Sequence, residues 1–269
     1  MRAIILAYAA IVGACAGSFL NVCITRWPEN LSVIRPRSRC PRCEKPIAWY
    51  DNIPIASWLV LRGKCRGCGL GISPLYPAVE LAVALIWLAC VWKFGATLLA
   101  LRLAIFATLL VGVAVTDLRT YTIPDGFTVS GFLFMIVTSF AAMFMAGNQF
   151  PFAGPFDALL GACTGAGAIA IVGWLGEVAL KKEAMGFGDV TLMAFIGAAL
   201  GPELSLLTVF VGAAIGAIVF VAIVMPFAKL RNRELPQVPF GVFLAPAAVV
   251  TLLYGRRMVD AYLTYLVGT

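Results

Sequence analysis

Histidine is absent from all 269 residues. That excludes a Ser-His-Asp triad, a Cys-His dyad, a histidine metal ligand and an imidazole base, so acid/base work near neutral pH falls to carboxylates, thiols, lysine or bound water. Charge of either sign is sparse: 12% of residues are charged and only 13 are Asp or Glu. No Gly-x-Gly loop follows a strand, which excludes a Rossmann-type nucleotide fold. No basic segment is interleaved with aromatics, and this argues against nucleic acid as a partner. Apolar residues take the place of charge, at 62% of the chain with a mean hydropathy of +0.97, far outside the range of a soluble globular domain.

The chain therefore reads as an all-α polytopic membrane protein. Apolar runs at 4–24, 78–92, 98–115, 127–146, 157–180, 190–201, 204–227 and 238–254 have lengths suited, or nearly so, to a hydrocarbon core of about 30 Å. The count is about eight transmembrane helices, of which the sixth is short. The first run imitates a cleaved signal peptide, with Met1-Arg2 and "ACA" at 14–16. Its apolar character continues to Ile24, however, and a basic loop follows at once, so residues 1–25 read as a retained span.

Orientation follows from the Lys/Arg asymmetry between loops. With the N-terminus outside, the cytoplasmic loops hold fifteen of the twenty basic residues, from Arg26 through Arg66, Arg119, Lys181 and Lys182 to Arg233. The net charge of +7 is then a topology signal and an attraction to anionic membrane lipids.

Residues 26–77 form a polar island between the first two spans, rich in Pro, Arg, Cys and Gly. Cys40 and Cys43, then Cys65 and Cys68, make two CxxC pairs with 21 residues between them. Such knuckles gather four thiolates into a tetrahedron suited to zinc, and the ion supplies folding free energy to a segment too small for its own core. A redox dithiol or a pair of disulfides fits a reducing compartment less well. Cys15, Cys23, Cys90 and Cys163 lie in apolar runs and read most simply as small buried hydrophobes.

Several of the acids stand at span ends. Asp117 closes the third run in "VAVTDLRTYTIPD", Asp125 follows eight residues on, and Asp189 opens the sixth in "AMGFGDVTLMA". An ionisable group at such a depth is a functional-site hypothesis. Two carboxylates sharing a site hold one proton between them, so that one activates a water while the other polarises a carbonyl. Gly186 and Gly188 would let a second backbone approach the acid closely. These arguments narrow the pair to Asp189 with either Asp117 or Asp125, the latter doubling as a helix-start acid. Small residues in "GACTGAGAIAIVG" and "VGAAIGAIVF" read as close helix packing.

With those residues in view, the sequence closely resembles the bacterial type IV prepilin peptidases, bifunctional leader peptidases and N-methyltransferases. The resemblance rests on "GSFLNVCITRWP" at 17–28, the four-cysteine segment running into "ISPLYPAVEL" at 72–81, "TDLRTYTIPD" at 116–125, "EAMGFGD" at 183–189 and "VPFGVFLAP" at 238–246. It implies Asp117 and Asp189 as catalytic aspartates and Cys40, Cys43, Cys65 and Cys68 as structural zinc ligands. It implies cleavage of a short basic leader after glycine, on the cytoplasmic side of the inner membrane, from a type IV prepilin or a type II secretion pseudopilin. Methylation of the new N-terminus by S-adenosylmethionine would follow, and Gly17, Asn21 and Glu80 are candidates for holding that cofactor. The domain organisation implied is a first span at 1–25, a methyltransferase-associated zinc domain at 26–77 and a membrane-embedded GxGD peptidase domain at 78–269. Glu80, Glu183 and Asp51 are candidates for receiving the basic leader. One departure stands out: the family commonly carries lysine two residues after the GxGD acid, where this chain has Thr191. The competing readings are a presenilin-like protease, a transporter that uses the acids as a proton path, and a scaffold that binds pilins without cutting them.

Overall fold

The computed structural model describes residues 1–145, 151–181, 185–230 and 238–267. Among them the secondary structure is helical, with two isolated bridges and no named strand. The helices are α1 (Arg2–Arg26), α2 (Ala56–Val60), α3 (Leu75–Phe94), α4 (Leu98–Thr120), α5 (Asp125–Met143), α6 (Pro155–Leu180), α7 (Phe187–Leu200), α8 (Pro202–Val219), α9 (Met225–Leu230) and α10 (Gly241–Val267). A π-helical turn, Phe220–Val224, joins α8 to α9 without a break. Among the described residues seven helical stretches are long and apolar enough to cross a membrane, and α7 is an eighth apolar helix of 14 residues. At 1.5 Å per residue it spans about 21 Å, short of the hydrocarbon core. The chain divides into two compact units, Met1–Gly112 and Val113–Thr269, with the division falling inside α4.

In the first unit α1 packs along α3. A Cβ on Gly13 would stand 2.7 Å from the Trp87 Cβ, and one on Gly17 would stand 2.7 Å from the Glu80 Cα, so the seam depends on both glycines. Trp87 Nε1 donates to the Thr108 hydroxyl at 3.0 Å and ties α3 to α4. The island between α1 and α3 is anchored at Ile55, whose backbone N–H donates to Glu80 Oε2 at 2.7 Å. Ile55 has φ +62° and ψ −53°, and the Ala56 N–H donates to the Pro54 carbonyl at 2.5 Å. That is a γ-turn of the rare strained hand on a β-branched residue, and the buried carboxylate holds it in place.

In the second unit α6 crosses α7 at Gly161 and Gly197, where a Cβ on either would collide with the other's carbonyl oxygen. Gly131 of α5 receives the Phe195 ring, and Gly212 and Gly216 of α8 receive Leu244 and Phe243 of α10. The small-residue patterns are thus helix seams of the small-xxx-small kind. Gly201 ends α7 and starts α8 with φ +82° and ψ 177°, a backbone region open essentially to glycine alone.

Large apolar side chains cover the outer faces, among them Phe19, Trp92, Val137 and Phe210, as a lipid solvent permits. The expectation that the four cysteines outside the island are buried holds for Cys23 and fails for Cys15 and Cys163, which are exposed. A thiol is apolar enough to face lipid, so an apolar run does not say which face of its helix a cysteine occupies.

Candidate active site and metal centre

Asp117 and Asp189 lie in the second unit, at opposite kinds of helix end. Asp117 sits in the last turn of α4, 4% exposed. Its Oδ2 accepts the Val242 N–H at 3.2 Å, in the first turn of α10, where unpaired N–H groups favour an anion. A Cβ on Gly241 would stand 2.8 Å from that oxygen, so the approach of α10 to Asp117 requires glycine. The "PFG" of the 238–246 motif thereby acquires a structural meaning. Asp189 is in the first turn of α7, where its N–H donates to the Gly186 carbonyl at 3.1 Å. Its Oδ1 is buried with no hydrogen-bond partner among the described residues. The two carboxylates are near enough for the charge of Asp117 to act on Asp189.

The glycines around Asp189 differ in what they leave open. A Cβ on Gly188 would stand 2.9 Å from the Ile123 Cβ, so this side is filled by the chain's own Ile-Pro-Asp segment. Among the described residues, a Cβ on Gly186 would meet only Asp189 itself and the Gly188 N–H, at 3.8 and 4.0 Å. The close approach expected at both glycines is therefore available only beside Gly186. Asp125 stands exposed at the start of α5. The Thr191 hydroxyl donates to the Gly188 carbonyl at 3.0 Å, a local bond within α7.

In the first unit the Sγ atoms of Cys40, Cys43, Cys65 and Cys68 all lie within 4.8 Å of one another. The Cys40–Cys68 separation is 3.9 Å, close to the roughly 3.8 Å that a tetrahedron with Zn–S bonds of about 2.3 Å dictates. The cluster could hold a metal ion. The N–H groups of Cys43 and Arg42 favour the Cys40 thiolate, the form a metal requires, while at Cys68 the pull of the Leu70 N–H is outweighed by burial and the neighbouring thiols, which push it the other way.

The two knuckles repeat with a shift of 25 residues. Glu44 N–H donates to the Cys40 carbonyl as Gly69 N–H does to that of Cys65, at 2.9 and 2.8 Å. Cys40 N–H reaches Lys45 as Cys65 N–H reaches Leu70, and Ile47 N–H reaches Ser38 as Ile72 N–H reaches Gly63. The bridge Arg39–Pro46 recurs as Lys64–Gly71. Glu44 and Gly69 share positive φ, at +57° and +71°. The repeat is visible on aligning "CPRCEKP" with "CRGCGLG", although spacing alone had marked only the cysteines.

Gly17, Asn21 and Glu80 do come together, along the α1–α3 seam. Asn21 Nδ2 donates to the Tyr76 carbonyl at 3.0 Å, and Glu80 receives Ile55. Both polar side chains are buried and engaged within the fold. Asp51 accepts from Arg66 Nε and Nη2, each at 2.8 Å, and that hydrogen bond holds its carboxyl below the usual carboxylate value. Of the three acids expected to meet a basic leader, then, Glu80 and Asp51 are occupied, and Glu183 lies outside the described residues.

Taken together, the fold and sites define a polytopic helical membrane protein with a carboxylate pair at converging helix ends and a four-thiol cluster on a small polar insertion. Residues 11–94 match the family described as the bacterial peptidase A24 N-terminal domain, and residues 104–221 match the type IV leader peptidase family. The chain belongs to the prepilin leader peptidase/N-methyltransferase family. It is 33% identical to a protein of that name from Stutzerimonas stutzeri over 281 residues, covering 96% of this chain and 93% of the relative. The relative of the same name from Pseudomonas aeruginosa is 32% identical, with 95% and 92% covered. One from Myxococcus xanthus is 43% identical over 188 residues, 70% of this chain and 54% of that protein. No solved structure matches the chain.

Proposed function

We propose that the chain is an aspartic endopeptidase that removes the leader of type IV prepilins or type II secretion pseudopilins, and that Asp117 and Asp189 are its catalytic pair. The observation that carries this reading is the contrast between the two acids: one oxygen of Asp117 is held by α10, whereas Asp189 keeps a buried oxygen without a partner among the described residues. Two carboxylates in one another's field hold a single proton between them. The ionised member takes a proton from water as its oxygen attacks the scissile carbonyl carbon, and the protonated member hydrogen-bonds the carbonyl oxygen. Collapse of the tetrahedral intermediate breaks the C–N bond, with a proton passing to the leaving amine. The open backbone beside Gly186 gives the substrate strand room next to Asp189.

The positive loops support an inner-membrane protein whose site opens to the cytoplasm, where a prepilin leader meets its membrane helix. Cys40, Cys43, Cys65 and Cys68 would hold zinc, which supplies folding free energy to the island and no chemistry to the cleavage. The relatives' second named activity, N-methylation, we assign to the unit that contains the island, with S-adenosylmethionine as donor. Gly17, Asn21 and Glu80 remain its candidate contacts, with Asn21 donating to the Tyr76 carbonyl and Glu80 accepting from the Ile55 N–H within the fold.

The test is cleavage of a prepilin by the detergent-purified protein. Asp189→Asn and Asp117→Asn should each lower the rate at least about a hundredfold, while Asp125→Asn should retain it. Unimpaired cleavage by either of the first two variants would remove the dyad. Binding of prepilin without cleavage by the wild type would favour a scaffold.

A further inference from the structure

A cavity of about 420 Å³ opens at the foot of α1, between that helix and the island. One wall is the α1 face carrying Cys15, Phe19 and Val22, and the other end holds Arg26, Arg37 and Trp49. This face is distinct from the one α1 buries against α3, which carries Gly13, Gly17, Leu20, Asn21 and Ile24. Cys15 and Phe19 are exposed, so the cavity continues outward into what a bilayer would fill with acyl chain. Arg26 ends the first span, at the depth where phosphates lie.

Charge decides what the cavity takes. Its lining includes two arginines and no carboxylate. Arg26 donates to the carbonyls of Ser32 and Pro36 at 2.9 and 2.8 Å, and these bonds fix its position without cancelling its charge. Among the described residues the ion pairs are Arg66–Asp51 and Arg256–Glu203, so neither cavity arginine is met by an acid. S-adenosylmethionine, with an ammonium and a sulfonium against one carboxylate, would enter as a cation and be repelled. A phosphate with an apolar tail satisfies both ends, because guanidinium groups bind phosphate with charge-assisted hydrogen bonds. Trp49, 73% exposed at the same level, suits the interfacial position that aromatic side chains favour.

We propose that this cavity seats the headgroup phosphate of an anionic phospholipid from the leaflet on the island's side, with an acyl chain along the Cys15–Val22 face of α1. The proposal is independent of the peptidase reading, because its readout is binding. The full chain in detergent is titrated with phosphatidylglycerol and, separately, with phosphatidylcholine, and complexes are counted by native mass spectrometry. Phosphatidylglycerol should bind more tightly, and Arg37→Ala should weaken it about fivefold while weakening phosphatidylcholine less, because the choline cation already offsets that lipid's phosphate. Cys15→Trp, which fills the membrane end of the cavity without touching its charge, should weaken phosphatidylglycerol as well. Equal affinity for the two lipids, or unchanged phosphatidylglycerol binding in both variants, would overturn the proposal. Displacement by inorganic phosphate at equal concentration would reassign the cavity to free phosphate. Displacement by S-adenosylmethionine would make it the cofactor's.

Discussion

Among single residues, Gly241 is the one whose role emerges only from the folded chain. It has no side chain to contribute, and a methyl group there would press within 2.8 Å of an Asp117 oxygen. Gly241→Ala should therefore cut the cleavage rate by at least about tenfold, in line with the cost of small misplacements of reacting groups. Helicity and thermal stability should change little, because α10 stays seated through the Thr208–Thr251 hydrogen bond at 2.6 Å and through Leu244. A melting curve beside the rate assay checks both halves of that statement. Asp189 was legible in the sequence, since an acid behind Gly-Phe-Gly at the head of an apolar run is costly to keep there unless it serves a site. Asp117 and Asp125 were not separable by pattern: both are acids at span ends, and what differs is that one is buried and held by α10 while the other is exposed. That distinction depends on a contact across 125 residues, which no local window contains.

For elements, hydropathy located the spans and misjudged several of their ends. The last apolar run stops near 254, whereas α10 continues to Val267 through "GRRMVDAYLTYLV". An apolar run marks where the hydrocarbon is, while the helix persists into the interface, where Arg256 pairs with Glu203 at 3.0 Å. The short α7 was legible in length but not in situation: most of it beyond the first turn is buried, including Leu192, Met193, Phe195 and Ile196. Its seam with α6 leaves no room at Gly161, so Gly161→Val should destabilise the protein by at least about 1–3 kcal/mol, the usual range for overpacking. The measurement is unfolding in mixed micelles, with Gly167→Val as control, since a Cβ at Gly167 meets nothing within 4 Å.

Across the molecule, the two compact units separate the two sets of candidate groups. The carboxylate pair, its helix-end support and the GxGD turn lie beyond Val113, whereas the four thiols and their duplicated knuckles lie before Gly112. With zinc held by the four thiols as proposed, Cys65→Ser should lower the metal content, measured by elemental analysis, from about one ion per chain toward none. It should also abolish methylation while leaving prepilin cleavage within about twofold of wild type, given that a zinc site of this kind contributes folding energy to its own segment. Loss of both activities together would instead make the island part of the peptidase.

The hold that Val242 exerts on Asp117 also bears on how the protein comes into being. Asp117 leaves the ribosome 125 residues before the amide that steadies it, and Asp189 is already synthesised before that amide arrives. A nascent chain inserted only as far as α8 thus carries both acids but not the group that fixes one of them. On the proposed dyad, a chain that stops after α8 should therefore bind no productive prepilin and cut none, and activity should arise only once the final helix has inserted.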